Sequence, residues 1–408
     1  MSKRAGSLAS AVVAAVAMCV LTAAPVGAES SGAGAEETNA AVLSPLAFAP
    51  LAEPDPVLAS DDTVHLAYEM QVLNASSASV TLTSVESLDP AQGDAVLGTL
   101  DADSLPGMLH IAGGVDGTTF PPGGSGYLFF DVQLDPSASV PKSLLHHFTM
   151  NVVNGEGASS TIEYDGVPVK VHSKAKAVVL APPLKGSGWV IGNGCCAPIN
   201  AHRGATLSID GTAHAPERFA IDFVQLGPND SLAQGDASKN ESFGYYGDEI
   251  YSVAPGKVVA LQGDQPTELP GVLPPGQTVQ TAGGNYVVVD IGKGRYAFYA
   301  HMQPDSLKVK VGDAVKTGQV LGLLGNTGNT DGAHLHFHIM DGPSPLLANG
   351  LPFVFTHFTG EGLVTDGQAL QKFEVVPIDA SALTGAHDHE MPLNLEIVAF
   401  EEQPAAAK

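Results

Sequence analysis

Cysteine is nearly missing from this chain, with 3 among 408 residues, and Cys19 falls in an N-terminal apolar stretch. The other two, Cys195 and Cys196, are neighbours. They can close a small ring with one another or bridge elsewhere, so no disulfide framework supports the fold. Each domain must then rest on its own apolar core, which the length allows. Basic residues are also scarce, 18 Lys and Arg against 43 Asp and Glu, for a formal net charge of −25. That balance argues against nucleic acid, anionic polymers and anionic lipid as partners, and it suits the solvated acidic surface of an exported protein. Beyond the first 28 residues no apolar run is long enough to span a bilayer, so no transmembrane segment is expected once a leader is removed.

What is present begins with that leader. Lys3 and Arg4 precede an apolar stretch that ends in Val26-Gly27-Ala28, which reads as a signal peptide over 1–28 and implies a secreted product, periplasmic or extracellular. The stretch is short and interrupted by Pro25, and Met18 before Cys19 argues against a lipid anchor. Residues 29–59, rich in Ala, Pro, Ser and Glu without periodicity, read as a linker. Over 60–175 apolar and polar residues alternate in short runs separated by turn signals such as Asn74-Ala75-Ser76-Ser77 and Pro121-Pro122-Gly123-Gly124. The expectation is an immunoglobulin-like β-sandwich. Strand patterns return over 176–361, giving a second all-β domain, and 362–408 reads as a C-terminal extension.

The run Tyr299–Ile339 holds most of the chemistry. His334-Leu335-His336 lies on a strand pattern, and alternation puts both imidazoles on one face. Two such histidines can serve a metal if further ligands come from neighbouring strands, and His202, Asp222 and His301 lie upstream in suitable segments. His338 shares the face and reads as a group orienting a ligand or as a buried hydrogen-bonded histidine. Residues 309–320 read as a hairpin about Gly312-Asp313. That hairpin would also suit a lipoyl or biotinyl carrier, but neither Lys310 nor Lys316 sits in a modification motif. His387-Asp388-His389-Glu390 and His146-His147 look like metal clusters by composition and read instead as solvated loops.

Taken together, Tyr299-Ala300-His301-Met302, the segment VKVGDAVKTGQVLGLLGNTGNT, Ala333 to Ile339 and Ala220-Ile221-Asp222 make residues 192–358 resemble the zinc metallopeptidases of the lysostaphin and LytM type, the M23 group. The resemblance implies an antiparallel β-sheet with an open groove and one Zn²⁺ per chain. It implies catalytic histidines at His301 and His334, and zinc held by His336 with an upstream histidine and aspartate. The implied substrates are peptidoglycan stem or cross-bridge peptides, or other short Gly- and Ala-rich peptides. Asp222 matches the aspartate. Most members carry the histidine four residues earlier, where this chain has Arg218. His202 and His214 are the candidates. A subset of the family reads H-R before a strand, a turn and R-F-A-I-D, and Asn200-Ala201-His202-Arg203 fits that form. His202 is favoured, with His214 in a polar turn as the alternative.

Zinc held by two imidazoles and a carboxylate keeps a position open for water and lowers its pKa to about 7. The unligated imidazoles of His301 and His334 titrate in the range that proton transfer needs. Two classes of function follow: a zinc endopeptidase, or a catalytically inactive relative that binds the wall or activates another hydrolase. Retention of Asp222, His301, His334 and His336 favours the enzyme. The first domain suits either class as a wall-binding or positioning module.

Overall fold

The computed structural model describes residues 42–114, 117–196 and 198–401. The leader expected at 1–28 lies outside the described residues. The expected alternation produces long strands at Val64–Asn74, Ser79–Asp89, Ser125–Leu134 and Ser143–Val153. They fall into two antiparallel sheets. One runs Leu46–Pro50, Val64–Asn74, Ser125–Leu134, Leu109–Ile111; the other runs Ser159–Asp165, Ser143–Val153, Ser79–Asp89, Ala95–Leu100. The turn at 75–78 therefore carries the chain from one sheet to the other. Leu66, Tyr68, Met70 and Val72 meet Val80, Leu82, Phe148 and Met150 in a common core, which makes a sandwich. Along Val64–Asn74 the opposite face is buried as well, through His65, Ala67 and Glu69, and Ala67 belongs to the core of the second domain.

That second core lies on an 11-stranded sheet. Its central strands, in spatial order, are Asn285–Gly292, Arg295–Met302, Leu335–Met340, Ile221–Gln225, Gly186–Gly192 and Glu396–Phe400. The register sets Asp222 opposite His336 and Ala300 opposite His336, so residues far apart in sequence meet at one point of the sheet. The one α-helix among the described residues, Gly367–Gln371, is capped by Asp366, whose carboxylate accepts from the Gln368 and Ala369 amides. No helix among the described residues is long and apolar enough to cross a membrane.

Several expectations need correction. Part of the stretch read as linker is structured: Leu46–Pro50 pairs along the edge of Val64–Asn74, and Tyr164 Oη donates to the Leu46 carbonyl at 2.8 Å. Five residues of edge strand carry too few alternations to stand out from an Ala/Pro-rich background. The stretch 309–320 does not pair with itself. Ala314–Val315 pairs with Gly256 and Lys257, and Val320–Leu323 with Glu249–Tyr251, because the turn at Gly312 hands the chain to distant partners. The expected C-terminal extension supplies Ile378–His387 and Glu396–Phe400, the latter paired with both Gly186–Gly192 and Phe358–Val364.

Of the two histidine clusters read as loops, His146-His147 and His387 lie on strands, while Asp388 and His389 do form an exposed bend. His387 is buried at the end of its strand, stacked on Phe358 and bonded to Glu390 at 2.7 Å, while Asp388 stays exposed. His146 is buried between the sheets and bonded to Tyr68 Oη and Ser87 Oγ. In both cases polar neighbours in sequence concealed an apolar or hydrogen-bonding partner supplied by another strand.

Candidate metal centre

Asp222 is the hub of the site. Its position on a central strand brings it among three imidazoles: His202 Nε2 lies 3.2 Å from Oδ2, His336 Nδ1 3.0 Å from Oδ1, and His334 Nε2 3.3 Å from Oδ1. His202, Asp222 and His336 each offer a ligand atom within 4.8 Å of the others, and so do His301, His334 and His336. The expected site residues are thus brought together. His214, by contrast, ends the short strand Thr212–His214 of a separate two-stranded sheet and belongs to neither group.

Each imidazole is oriented by its outer nitrogen. His202 Nδ1 donates to the Asn193 and Ala220 carbonyls, both at 3.0 Å, and His334 Nδ1 donates to Gly332 O at 3.0 Å. His301 Nδ1 donates to Thr327 O at 2.7 Å. With those protons fixed outward, the Nε2 lone pairs point to the site in the neutral tautomers. His336 is turned the other way: its Nε2 shares a hydrogen bond with His338 Nδ1 at 2.9 Å, and its Nδ1 faces Asp222 Oδ1 at 3.0 Å. His338 therefore does orient a ligand candidate. Its own Nε2 is buried without a partner among the described residues.

The turn Gly325-Asn326-Thr327-Gly328 sets the position of His301. Thr327 Oγ1 accepts from the Asn285 amide, and Gly284, at φ +57°, lies so close that a Cβ would collide with the Thr327 carbonyl. His301 itself sits at φ +65°, a left-handed conformation that costs a residue other than glycine about 1–3 kcal/mol. The Gly283 carbonyl accepts its amide at 3.1 Å and helps to hold it there.

Protonation follows from the same contacts. Burial disfavours a charge on His202, but the Asp222 carboxylate and, more weakly, Glu217 push its pKa up to about 9. His334 is likewise opposed by burial and raised by Asp222. Burial would raise Asp222, yet the charges of His202 and His334 hold it well below the usual carboxylate range. His301 goes well below the ordinary histidine value through burial and repulsion from His334 and His336, and His338 through burial and repulsion from His336 and His202. The site is therefore built around a carboxylate that demands positive charge. With three imidazole nitrogens converging on that carboxylate, the donors fit a divalent ion of Zn²⁺ type, which would displace these protons on binding.

Beside Asp222 and His334 opens a cavity of about 230 Å³ with Val224, Leu232, Leu370, Phe373 and Leu395 among its walls. Leu370, Phe373 and Leu395 come from the C-terminal segment, which sequence reasoning left out of the site. Asn193 was also missed. Its Nδ2 donates to Asp222 Oδ2 at 2.8 Å, and the Gly192-Asn193-Gly194 run, where Asn193 takes φ +51°, is the turn signal that could have found it.

The model of Peptidase family M23 matches residues 242–347, which include His301, His334 and His336. The peptidoglycan DD-endopeptidase ShyA of Vibrio cholerae serotype O1 is 42% identical over 57 residues, a stretch covering 14% of this chain and 13% of that protein. Among solved structures, the catalytic domain of the antimicrobial peptidase lysostaphin from Staphylococcus simulans aligns at 23% identity over 40% of this chain and 88% of that one, with a TM-score of 0.23. A zinc-containing peptidase from Vibrio cholerae aligns at 16% identity over 69% of this chain and 80% of that one, with a TM-score of 0.21. With its H-x-H strand and its His301 segment inside the matched region, the chain carries a domain of peptidase family M23 at residues 242–347.

Proposed function

We propose that the chain is a secreted zinc metalloendopeptidase that hydrolyses peptide bonds in peptidoglycan stem or cross-bridge peptides, including short segments rich in Gly and Ala. The observation that carries this reading is the convergence of His202, Asp222 and His336 beside a groove, with His301 and His334 on the same spot. His202 Nε2, an Asp222 oxygen and His336 Nδ1 would hold one zinc ion per chain. Zinc bound there would act as a Lewis acid that polarises a carbonyl and brings a water's pKa to about 7.

The rest belongs to the chain's own side chains. His301 and His334, ring centroids 4.5 Å apart, direct their inner nitrogens into one space. Between them they accept the proton of the attacking water, stabilise the oxyanion and return a proton to the leaving nitrogen. His338 fixes the ring of His336, and Asn193 fixes Asp222. The apolar cavity receives an uncharged part of the peptide next to the scissile bond. The acidic composition and the leader at 1–28 accord with export. The N-terminal domain, two antiparallel sheets over one core, is read as immunoglobulin-like.

The test is mass spectrometry of fragments released from purified sacculi by zinc-loaded protein, by chelated protein and by His301→Ala. New amine termini from the loaded wild type alone support the reading. Full zinc occupancy without any released fragment would replace it with a wall-binding role.

A further inference from the structure

The loop that carries His202 and the turn that leads into the Asp222 strand are tied to a single carboxylate in the sandwich. Glu69, wholly buried on the Val64–Asn74 strand of the sandwich, accepts from Arg218 Nε at 2.9 and 3.1 Å and from Arg218 Nη2 at 2.6 Å. Arg203 Nε lies 3.9 Å from the same carboxylate, and Arg203 Nη2 donates to the Phe130 carbonyl of the sandwich at 3.0 Å. Arg203 follows His202 directly. Arg218 opens the turn that leads into Asp222, anchored also through Nη1 to Gly350 O at 3.1 Å.

The two loops are also joined to each other at the site. Asn200 Oδ1 accepts from the amides of His202 and Arg203, and His202 Nδ1 donates to Ala220 O, two residues before Asp222. One buried anion therefore holds two guanidinium groups whose neighbours are the two upstream ligand candidates. An arginine fork on a carboxylate fixes direction as well as distance.

We propose that Glu69 is a positioning residue of the metal centre, and that the N-terminal sandwich is for this reason a working part of it. Through Arg203 and Arg218 it sets the separation of His202 from Asp222. This inference rests on the reading of His202, Asp222 and His336 as metal ligands. Without the Glu69 charge, two buried guanidinium groups lose their shared anion and repel one another, and both loops shift.

The experiment uses the full chain with Glu69→Gln, Glu69→Asp and, as a comparison, Ser60→Ala. Ser60 Oγ donates to Glu396 Oε2 at 2.5 Å and is another polar link from the start of the sandwich to the second domain, away from the metal ligands. Zinc affinity is measured by competition with a chromogenic chelator, and the site geometry by the visible absorption of the Co²⁺-substituted protein. Thermal unfolding in chelator reports the fold alone. Glu69→Gln should weaken zinc binding about tenfold or more and change the Co²⁺ bands, Glu69→Asp should recover part of the loss, and Ser60→Ala should leave both readouts unchanged.

If Glu69→Gln does not fold, Arg218→Lys keeps the charge and removes the fork, and it should show the same loss of affinity. Wild-type affinity and an unaltered Co²⁺ spectrum in folded Glu69→Gln or Arg218→Lys would overturn the inference while leaving the zinc site in place. A wild-type chain that binds no zinc would overturn the metal reading and this inference with it.

Discussion

The stability of the chain should fall between neutral and alkaline pH because of one buried histidine of the sandwich. His65, on the Val64–Asn74 strand, is 2% exposed, with Nδ1 2.9 Å from Asp131 Oδ1 and Nε2 3.2 Å from Asp61 Oδ2. Burial opposes its charge, but the two carboxylates outweigh burial and lift the pKa from 6.5 to about 9. A rise of that size is worth about 3 kcal/mol. The folded value lies above the unfolded one, so the contribution is complete below pH 6.5, declines as the pH rises and is gone once it passes about 9. Asp131 is held low by the same pair, so its shift is not added again.

The assay is urea unfolding of wild type and His65→Gln at pH 6 and at pH 9.5. The gap in unfolding free energy should shrink by about 3 kcal/mol across that interval. His202, also lifted to about 9, titrates in both proteins and cancels in the difference. A gap that stays constant with pH would refute the argument that His65 is charged in the folded state.

Further outcomes follow from the geometry around the site. His202→Ala should lower zinc occupancy in metal analysis, whereas His214→Ala, outside both candidate groups, should retain it. His336→Ala should remove zinc and peptide release together, since this imidazole belongs to both groups. Leu370→Trp places a larger side chain in the wall of the cavity of about 230 Å³, and should reduce release of wall fragments with zinc content unchanged. Equal activity in that variant would show that the substrate does not enter there.

Local pattern carried the all-β character and part of the site. Alternation predicted the long sandwich strands, and the H-x-H spacing placed His334 and His336 side by side. Register is a tertiary property. The pairing of Asp222 with His336 comes from strands more than a hundred residues apart and has no local signature. The Arg203–Glu69–Arg218 cluster is invisible for the same reason, because an isolated Glu in a strand pattern reads as solvent-facing. His146 and His387 were misread because their partners Tyr68, Ser87 and Phe358 are remote in sequence. The helix Gly367–Gln371 has only five residues, too few for a periodic signal, and yet it supplies a wall of the groove.

The most direct test of the central claim is anomalous X-ray diffraction at the zinc edge from crystals of the chain grown with Zn²⁺. The account predicts one strong peak per chain, bonded to His202 Nε2, an Asp222 carboxylate oxygen and His336 Nδ1. A peak held by His301, His334 and His336 instead, or none at Asp222, would contradict it.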